Sequence, residues 1–237
     1  MFGARTSGIV AGKIIASARD SGINFIDTAD GYSKGESERI VGKSIRRDRD
    51  SWVLATKVWN PMGSGPNDRG LSRKHILKAL DGSLTRMKTD YIDVYYFHKD
   101  DESVPLEESI ETVAGLIRAG KVRYWGLSNY RGWRISLVCG IAERMGVPGP
   151  VVCQPYYNAM DRTPEQEVLP ACSYHGLGVV SYSPLARGVL SGKYGISIKE
   201  KGKGTRASVN DPRLMQTEWR AENLIIAQKI KKRASEQ

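Results

Sequence analysis

Six short apolar runs punctuate the chain, at 23–26, 52–55, 92–96, 124–127, 151–153 and 179–182. Each is rich in β-branched or aromatic residues and too short for a buried helix, so each predicts a strand. The runs are nearly continuous rather than alternating, which suits a parallel sheet covered on both faces. Amphipathic stretches lie between and beyond them. Residues 9–21 predict a helix closed by Gly22, and 36–47 a second with Ile40, Val41 and Ile45 on one face. Residues 72–88 start at Ser72, an N-cap type, and space Ile76, Leu77, Leu80 and Leu84 for one face. Further helices are predicted over 105–119, with Pro105 in the first turn, and over 131–146, 164–175 and 219–235.

The strand ends fall near 27, 57, 98, 128, 154 and 182, a βα unit about every 30 residues. Such repetition means parallel strands joined by crossover helices. Spacing alone leaves an open doubly wound sheet and a (β/α)8 TIM barrel both standing. No G-x-G-x-x-G joins a strand to a helix. Gly42-Lys43-Ser44 ends like a phosphate-binding loop, but Ser37 stands where its first glycine belongs and the segment reads as helix. Residues 187–217 resist the scheme. They hold Gly188, Gly192, Gly195, Gly202, Gly204, Pro212 and scattered basic residues, which predicts a long functional or disordered loop.

Composition narrows the class. A chain of 237 residues suits one domain over 1–237. No apolar run approaches the roughly 20 residues that span a bilayer, and Lys13 and Arg19 interrupt the opening stretch where a secretory leader would be apolar. Cys139, Cys153 and Cys172 are odd in number without C-x-x-C spacing. That argues against a disulfide framework or zinc site and suits a reducing cytoplasm. The net charge is +10, and residues 193–237 alone carry eleven Lys/Arg against five Asp/Glu. Contacts to nucleic acid, contacts to a cofactor's phosphates, and plain solubility all fit that excess; no nucleic-acid recognition motif accompanies it.

In a parallel α/β fold the chemistry lies at the C-terminal strand ends. Here those ends hold Asp27 and Tyr32, then Lys57, His98, Ser128 with Asn129, Gln154, and Tyr182 with Ser183. A phenol is a poor acid at neutral pH, and a nearby ammonium favours its ionised form. Lys57 would do this for Tyr32, Asp27 would fix Lys57, and His98 would orient a carbonyl oxygen or help relay the proton. Such a set protonates a carbonyl oxygen while hydride arrives at carbon from a cofactor. Taken singly, each residue reads as an ordinary cap, packing ring, surface charge or structural histidine; the joint placement carries the argument. No cluster of ligand types suggests a metal, and no G-x-S-x-G elbow suggests a serine hydrolase.

The segments FIDTADGY (25–32), ATK (55–57), YYFH (95–98), GLSNY (126–130), QPYYN (154–158) and SYSPLARGVLSGKY (181–194) resemble the aldo-keto reductase family. The last is similar to the branch with bacterial general-stress reductases and potassium-channel β subunits. The resemblance implies a (β/α)8 barrel that binds NADPH, or else NADH, without a dinucleotide fingerprint. It implies an acid/base Tyr32 with Asp27, Lys57 and His98. Ser128, Asn129 and Gln154 would hold the nicotinamide carboxamide, and Tyr182 would stack on the ring. Ser183, Leu185, Arg187 and Gly188 would meet the pyrophosphate, and Trp59 would line the pocket of a small carbonyl substrate, with plain packing as its alternative. Six strands are recognisable where that barrel has eight, the first and last being absent, so an incomplete gene product is expected, ahead of a deliberately shortened chain or a barrel completed by a partner.

Overall fold

A computed structural model describes residues 2–236 of the chain. The six apolar runs form one parallel sheet: β1 (Phe25–Asp27), β2 (Val53–Val58), β3 (Ile92–Phe97), β4 (Val122–Ser128), β5 (Val152–Gln154) and β6 (Gly178–Val179). Spatial order equals chain order, so every crossover goes to the next strand along, as in a barrel and unlike a doubly wound sheet. Between the strands run α2 (Glu36–Ile45), α3 (Arg73–Met87), α4 (Leu106–Arg118), α5 (Gly132–Met145) and α6 (Val168–Tyr174), with α1 (Gly8–Asp20) ahead of β1. Ser72 caps α3 as its sequence foretold, its Oγ accepting from His75 N at 3.3 Å.

The sheet is curled. Gln154 at the end of β5 donates from Nε2 to Asp27 Oδ1 at the end of β1, at 3.0 Å. Four strand steps in a flat sheet would separate them by roughly 19 Å. These are six strands of a (β/α)8 arrangement, closed far enough for residues on distant strands to meet across the hollow. Among the described residues, β1 and β6 each pair on one side only.

Curling sorts each strand's residues into two cores. Ile26, Leu54, Val58, Tyr95, Phe97, Trp125, Leu127 and Cys153 pack outward against the helices. Their alternates Ala55, Val94, Tyr96 and Val152, with Phe25, Val53 and Val180 beside them, fill the concave side. Gly126 belongs to this inner series: a Cβ there would lie 2.6 Å from Val152 Cγ1 and 2.8 Å from Tyr96 Cε1.

Three expectations need correction. The last strand ladder covers Gly178–Val179 rather than 179–182. Val180 N and Tyr182 N still donate to Cys153 O and Pro155 O, at 3.0 and 2.9 Å, but Pro155 has no N–H to return. The helix expected over 164–175 splits into a 3-10 turn, Thr163–Glu165, and α6. Pro170 explains the break, because it sits in the first turn of α6 and would clash with a helix already running through Gln166. Pro105 stands at the N-cap of α4 rather than inside its first turn.

The stretch 187–217 is not structureless. A 3-10 segment, Ala186–Ser191, leads through turns to α7 (Pro212–Thr217), and α8 (Ala221–Ser235) follows. Asp211 caps α7, its Oδ1 accepting from Leu214 N at 3.0 Å, with Pro212 as the first helical residue. Ala186, Val189, Tyr194, Ala207, Leu214, Leu224 and Ala227 bury one another in a second, smaller core. No helix is long and apolar enough to cross a membrane among the described residues.

Candidate active site at the strand ends

The inner series predicts where chemistry collects. Two residues beyond Phe25, Ala55, Tyr96, Gly126, Val152 and Val180 stand Asp27, Lys57, His98, Ser128, Gln154 and Tyr182. Period-2 alternation turns all six to the concave side, just past the apolar filling.

Lys57 is fully buried. Its Nζ forms an ion pair with Asp27 Oδ2 and donates to Thr28 O at 2.8 Å. A buried ammonium is tolerated only with such partners. The same Nζ lies 5.0 Å from the centre of the Tyr32 ring. Tyr32 opens a 3-10 turn, Tyr32–Gly35, in which Ser33 and Lys34 adopt left-handed angles. That conformation is costly for residues with a Cβ, and Ser33 Oγ anchors it by donating to Phe2 O at 2.8 Å. His98 meets Tyr32 edge-on, ring centres 5.6 Å apart. The four residues singled out for proton chemistry thus share one cluster.

Burial, then the charges of Lys57 and Arg213, push the His98 pKa down to about 3, so the ring is neutral at physiological pH. Asn60 Nδ2 lies 2.8 Å from His98 Nδ1. An amide nitrogen only donates, so Nδ1 accepts and the ring proton sits on Nε2. His98 is arranged to donate a hydrogen bond, not to shuttle a proton as an imidazolium.

Beside this cluster lies a bed of amides, hydroxyls and one flat ring. Ser128 Oγ donates to Gln154 O at 2.9 Å, and Asn129 Nδ2 donates to His98 O at 2.8 Å. Tyr182 Oη donates to Asn129 Oδ1 at 2.8 Å, and the Tyr182 ring leans on Tyr156. The chain then turns through left-handed angles at Ser183, Ala186, Arg187 and Gly188. Successive turn conformations of this kind make concavities that suit anions. Gly188 supplies the φ of +99° that a side chain would resist, and Lys193 Nζ lies 3.2 Å from where its Cβ would be. Arg187 stacks on Tyr156 at 5.7 Å and donates from Nε to Thr217 Oγ1 at 3.0 Å, while Leu185 is exposed. This donor set fits a nicotinamide dinucleotide: amides for a carboxamide, an aromatic face for a ring, cations around a tight turn for a pyrophosphate. Trp59, half-buried and next to Asn60, lines two clefts at the mouth.

Sequence reasoning missed several groups. Asn60, three residues past Lys57, fixes the His98 tautomer. Arg213 reaches the site electrostatically, from α7 within the stretch read as loop; Asp211-Pro212, a cap followed by a first-turn proline, was the available signal. Beneath the site, Glu38 is buried and paired with Arg86 Nε at 2.5 Å and accepts from Thr56 Oγ1 at 2.6 Å. Its neighbour Asp30 is fully buried, accepts from Gly31 N at 2.5 Å through Oδ1, and leaves Oδ2 without a protein partner. Burial and the nearby Glu38 push the Asp30 pKa up to about 7. Nothing in the local sequence distinguishes these carboxyls from surface charges on an amphipathic turn. Among the described residues no group of three or more His, Cys, Asp or Glu side chains is placed to hold a metal.

Known proteins match this chain at the level of the family. The model of the aldo/keto reductase family matches residues 5–237. A probable voltage-gated potassium channel subunit beta of Arabidopsis thaliana is 43% identical over 189 residues, 78% of this chain and 57% of the relative. A putative subunit of the same kind from Schizosaccharomyces pombe is 42% identical over 196 residues, 81% and 56% of the two chains. The uncharacterized oxidoreductase YrpG of Bacillus subtilis is 43% identical over 203 residues, 81% and 62%. The chain therefore spans less than two thirds of the length of these relatives.

Proposed function

Since the chain belongs to the aldo/keto reductase family, we propose that it reduces aldehyde or ketone carbonyls with NADPH or NADH, Tyr32 donating the proton. The observation that carries this reading is the buried Lys57 ammonium, held by Asp27 and Thr28 and set 5.0 Å from the Tyr32 ring. A cation there stabilises the phenolate that Tyr32 becomes when its proton passes to the carbonyl oxygen. Asp27 keeps Lys57 in place and is itself steadied by Gln154. Neutral His98 donates from Nε2 to the same oxygen and fixes its direction. Ser128, Asn129 and Gln154 hold the carboxamide, Tyr182 backs the ring, and Ser183, Leu185, Arg187 and Gly188 meet the pyrophosphate. The bound cofactor supplies the hydride that no side chain can. Three free cysteines suit a cytoplasmic setting.

Replacing Tyr32 by Phe tests the reading. Turnover of a small aldehyde is expected to fall by about 10²–10⁴-fold, the usual worth of a positioned acid. Cofactor binding, followed by quenching of tryptophan fluorescence, is expected to persist. Equal turnover by both proteins overturns the assignment. A second reading is favoured by the names of the plant and yeast relatives: a barrel that binds cofactor and regulates a channel-like partner. Quenching by NADPH without turnover of any aldehyde would select it.

A further inference from the structure

Beside the strand-end cluster lies a cleft of about 520 Å³ that shares only Asn129 with the cofactor bed. Its inner wall is Asn129, one hydrogen bond from the His98 carbonyl, and its outer walls are Trp59 and Trp133. Trp133, the second residue of α5, is 55% exposed. Two large rings facing one hollow leave apolar surface in water that a flat guest would cover.

The charges around the cleft are unevenly engaged. Arg134 and Asp100 pair with each other at 2.9 Å. Asp101 is taken up by Leu71 N at 2.8 Å and by Ser103 N and Oγ at 3.1 and 2.5 Å. Lys99 and Arg131 remain outside every ion pair among the described residues, with Glu102 the acidic group left to oppose them. Lys99 Nζ sits 5.0 Å from the Trp59 ring centre, so its charge is held at an aromatic face. A volume of this size takes a compound of one or two rings.

The geometry points to this cleft as the substrate's anchoring subsite, selecting a planar aromatic carbonyl compound that carries an anionic group remote from its carbonyl. The ring lies between Trp59 and Trp133, the carbonyl reaches past Asn129 toward Tyr32 and His98, and the anion meets Lys99 and Arg131. The inference rests on the carbonyl-reductase reading, and its test separates the two.

Wild-type kcat/KM is measured with NADPH for 4-carboxybenzaldehyde, benzaldehyde and propanal. The carboxylate is expected to be favoured over benzaldehyde by about tenfold, as two exposed cations acting together allow, with the advantage in KM and shrinking in salt. In Lys99→Met/Arg131→Met that ratio collapses toward one. In Trp133→Ala the benzaldehyde-to-propanal ratio drops. Because these are ratios within one protein, partial misfolding does not mimic them. A wild-type ratio near one, or a ratio unchanged in the double variant, overturns the subsite. Should no aldehyde turn over at all, the reductase reading fails, and the subsite is judged by binding instead. There, tryptophan quenching by 4-(hydroxymethyl)benzoate at lower concentration than by benzyl alcohol upholds it, and equal quenching overturns it.

Discussion

The wall of strand ends and the cap formed by residues 186–235 treat charge in opposite ways. In and beneath the wall, two buried charges are matched: Lys57 with Asp27, and Glu38 with Arg86. In the cap, cations outnumber their partners. Burial, then the charges of Arg213 and Arg206, hold the Arg187 pKa below its usual value. Asp211 is already met by Arg5 at 2.5 Å. A matched interior fixes geometry before any ligand arrives, whereas an unmatched cationic surface gains by receiving an anion. The cap also carries its own core and is clasped by α8, with Gln228 donating to Gly192 O at 3.2 Å and Lys231 to the same oxygen at 3.3 Å. On the reading proposed above, one region serves to place the reacting groups and the other to retain what they act with.

That contrast can be broken in order of expected effect. Lys57→Met removes the matched cation nearest Tyr32, and turnover is expected to fall by about 10³-fold with cofactor affinity nearly kept; a small kinetic effect would mean the wall does not set the chemistry. Arg86→Met leaves Glu38 buried without its cation. It is expected to cost about 3–5 kcal/mol in urea unfolding, and a cost near zero would show that the pair is not truly buried in solution. Leu214→Ala is expected to cost about 2–5 kcal/mol and to raise amide exchange within 186–235 while β2 and β3 stay protected. Uniform loosening of both regions would erase the distinction between two cores. Arg187→Ala should weaken cofactor binding by about tenfold and flatten its salt dependence with little change in kcat.

The last prediction concerns pH. The His98 pKa is depressed in the folded protein, to about 3, so the unfolded chain binds the extra proton between that value and its ordinary one near 6.5. Its contribution to stability is present above about pH 6.5 and is lost as pH falls toward 3. The Asp30 pKa is raised to about 7, so its contribution runs the other way: present below about pH 4 and lost as pH rises through 7. The two slopes oppose each other over nearly one window. Asp30→Asn should uncover a rise of stability with pH between about 4 and 6.5, at most about 1.4 kcal/mol per pH unit. Denaturant midpoints with the same pH dependence as wild type would refute the pairing.

Much of this was legible in the chain itself. All six strands stood out because their runs are short, apolar and rich in β-branched or aromatic residues, even the last, which the structure leaves exposed, and the candidate site residues because each follows such a run at its polar end. The breaks at Pro155 and Pro170 were harder to see, since a missing N–H matters only when one knows which carbonyl lies opposite. The cap was illegible for a different reason. Its core is assembled from isolated residues, Ala186, Tyr194, Leu214 and Leu224 among them, too far apart to make a period. Asn60 and Glu38 became visible only through partners supplied by other elements, and Asp30 only through its burial.

The hydrogen bond from Gln154 to Asp27 joins residues 127 positions apart. Nearly two thirds of the chain must exist and be curled before the acid that holds Lys57 acquires its second support. Contacts of such long range form late and slow folding. A refolding molecule would regain helical signal well before it regained a working site, and a ribosome-bound chain shorter than β5 would carry Asp27, Tyr32, Lys57 and His98 without the geometry that gives them a joint task.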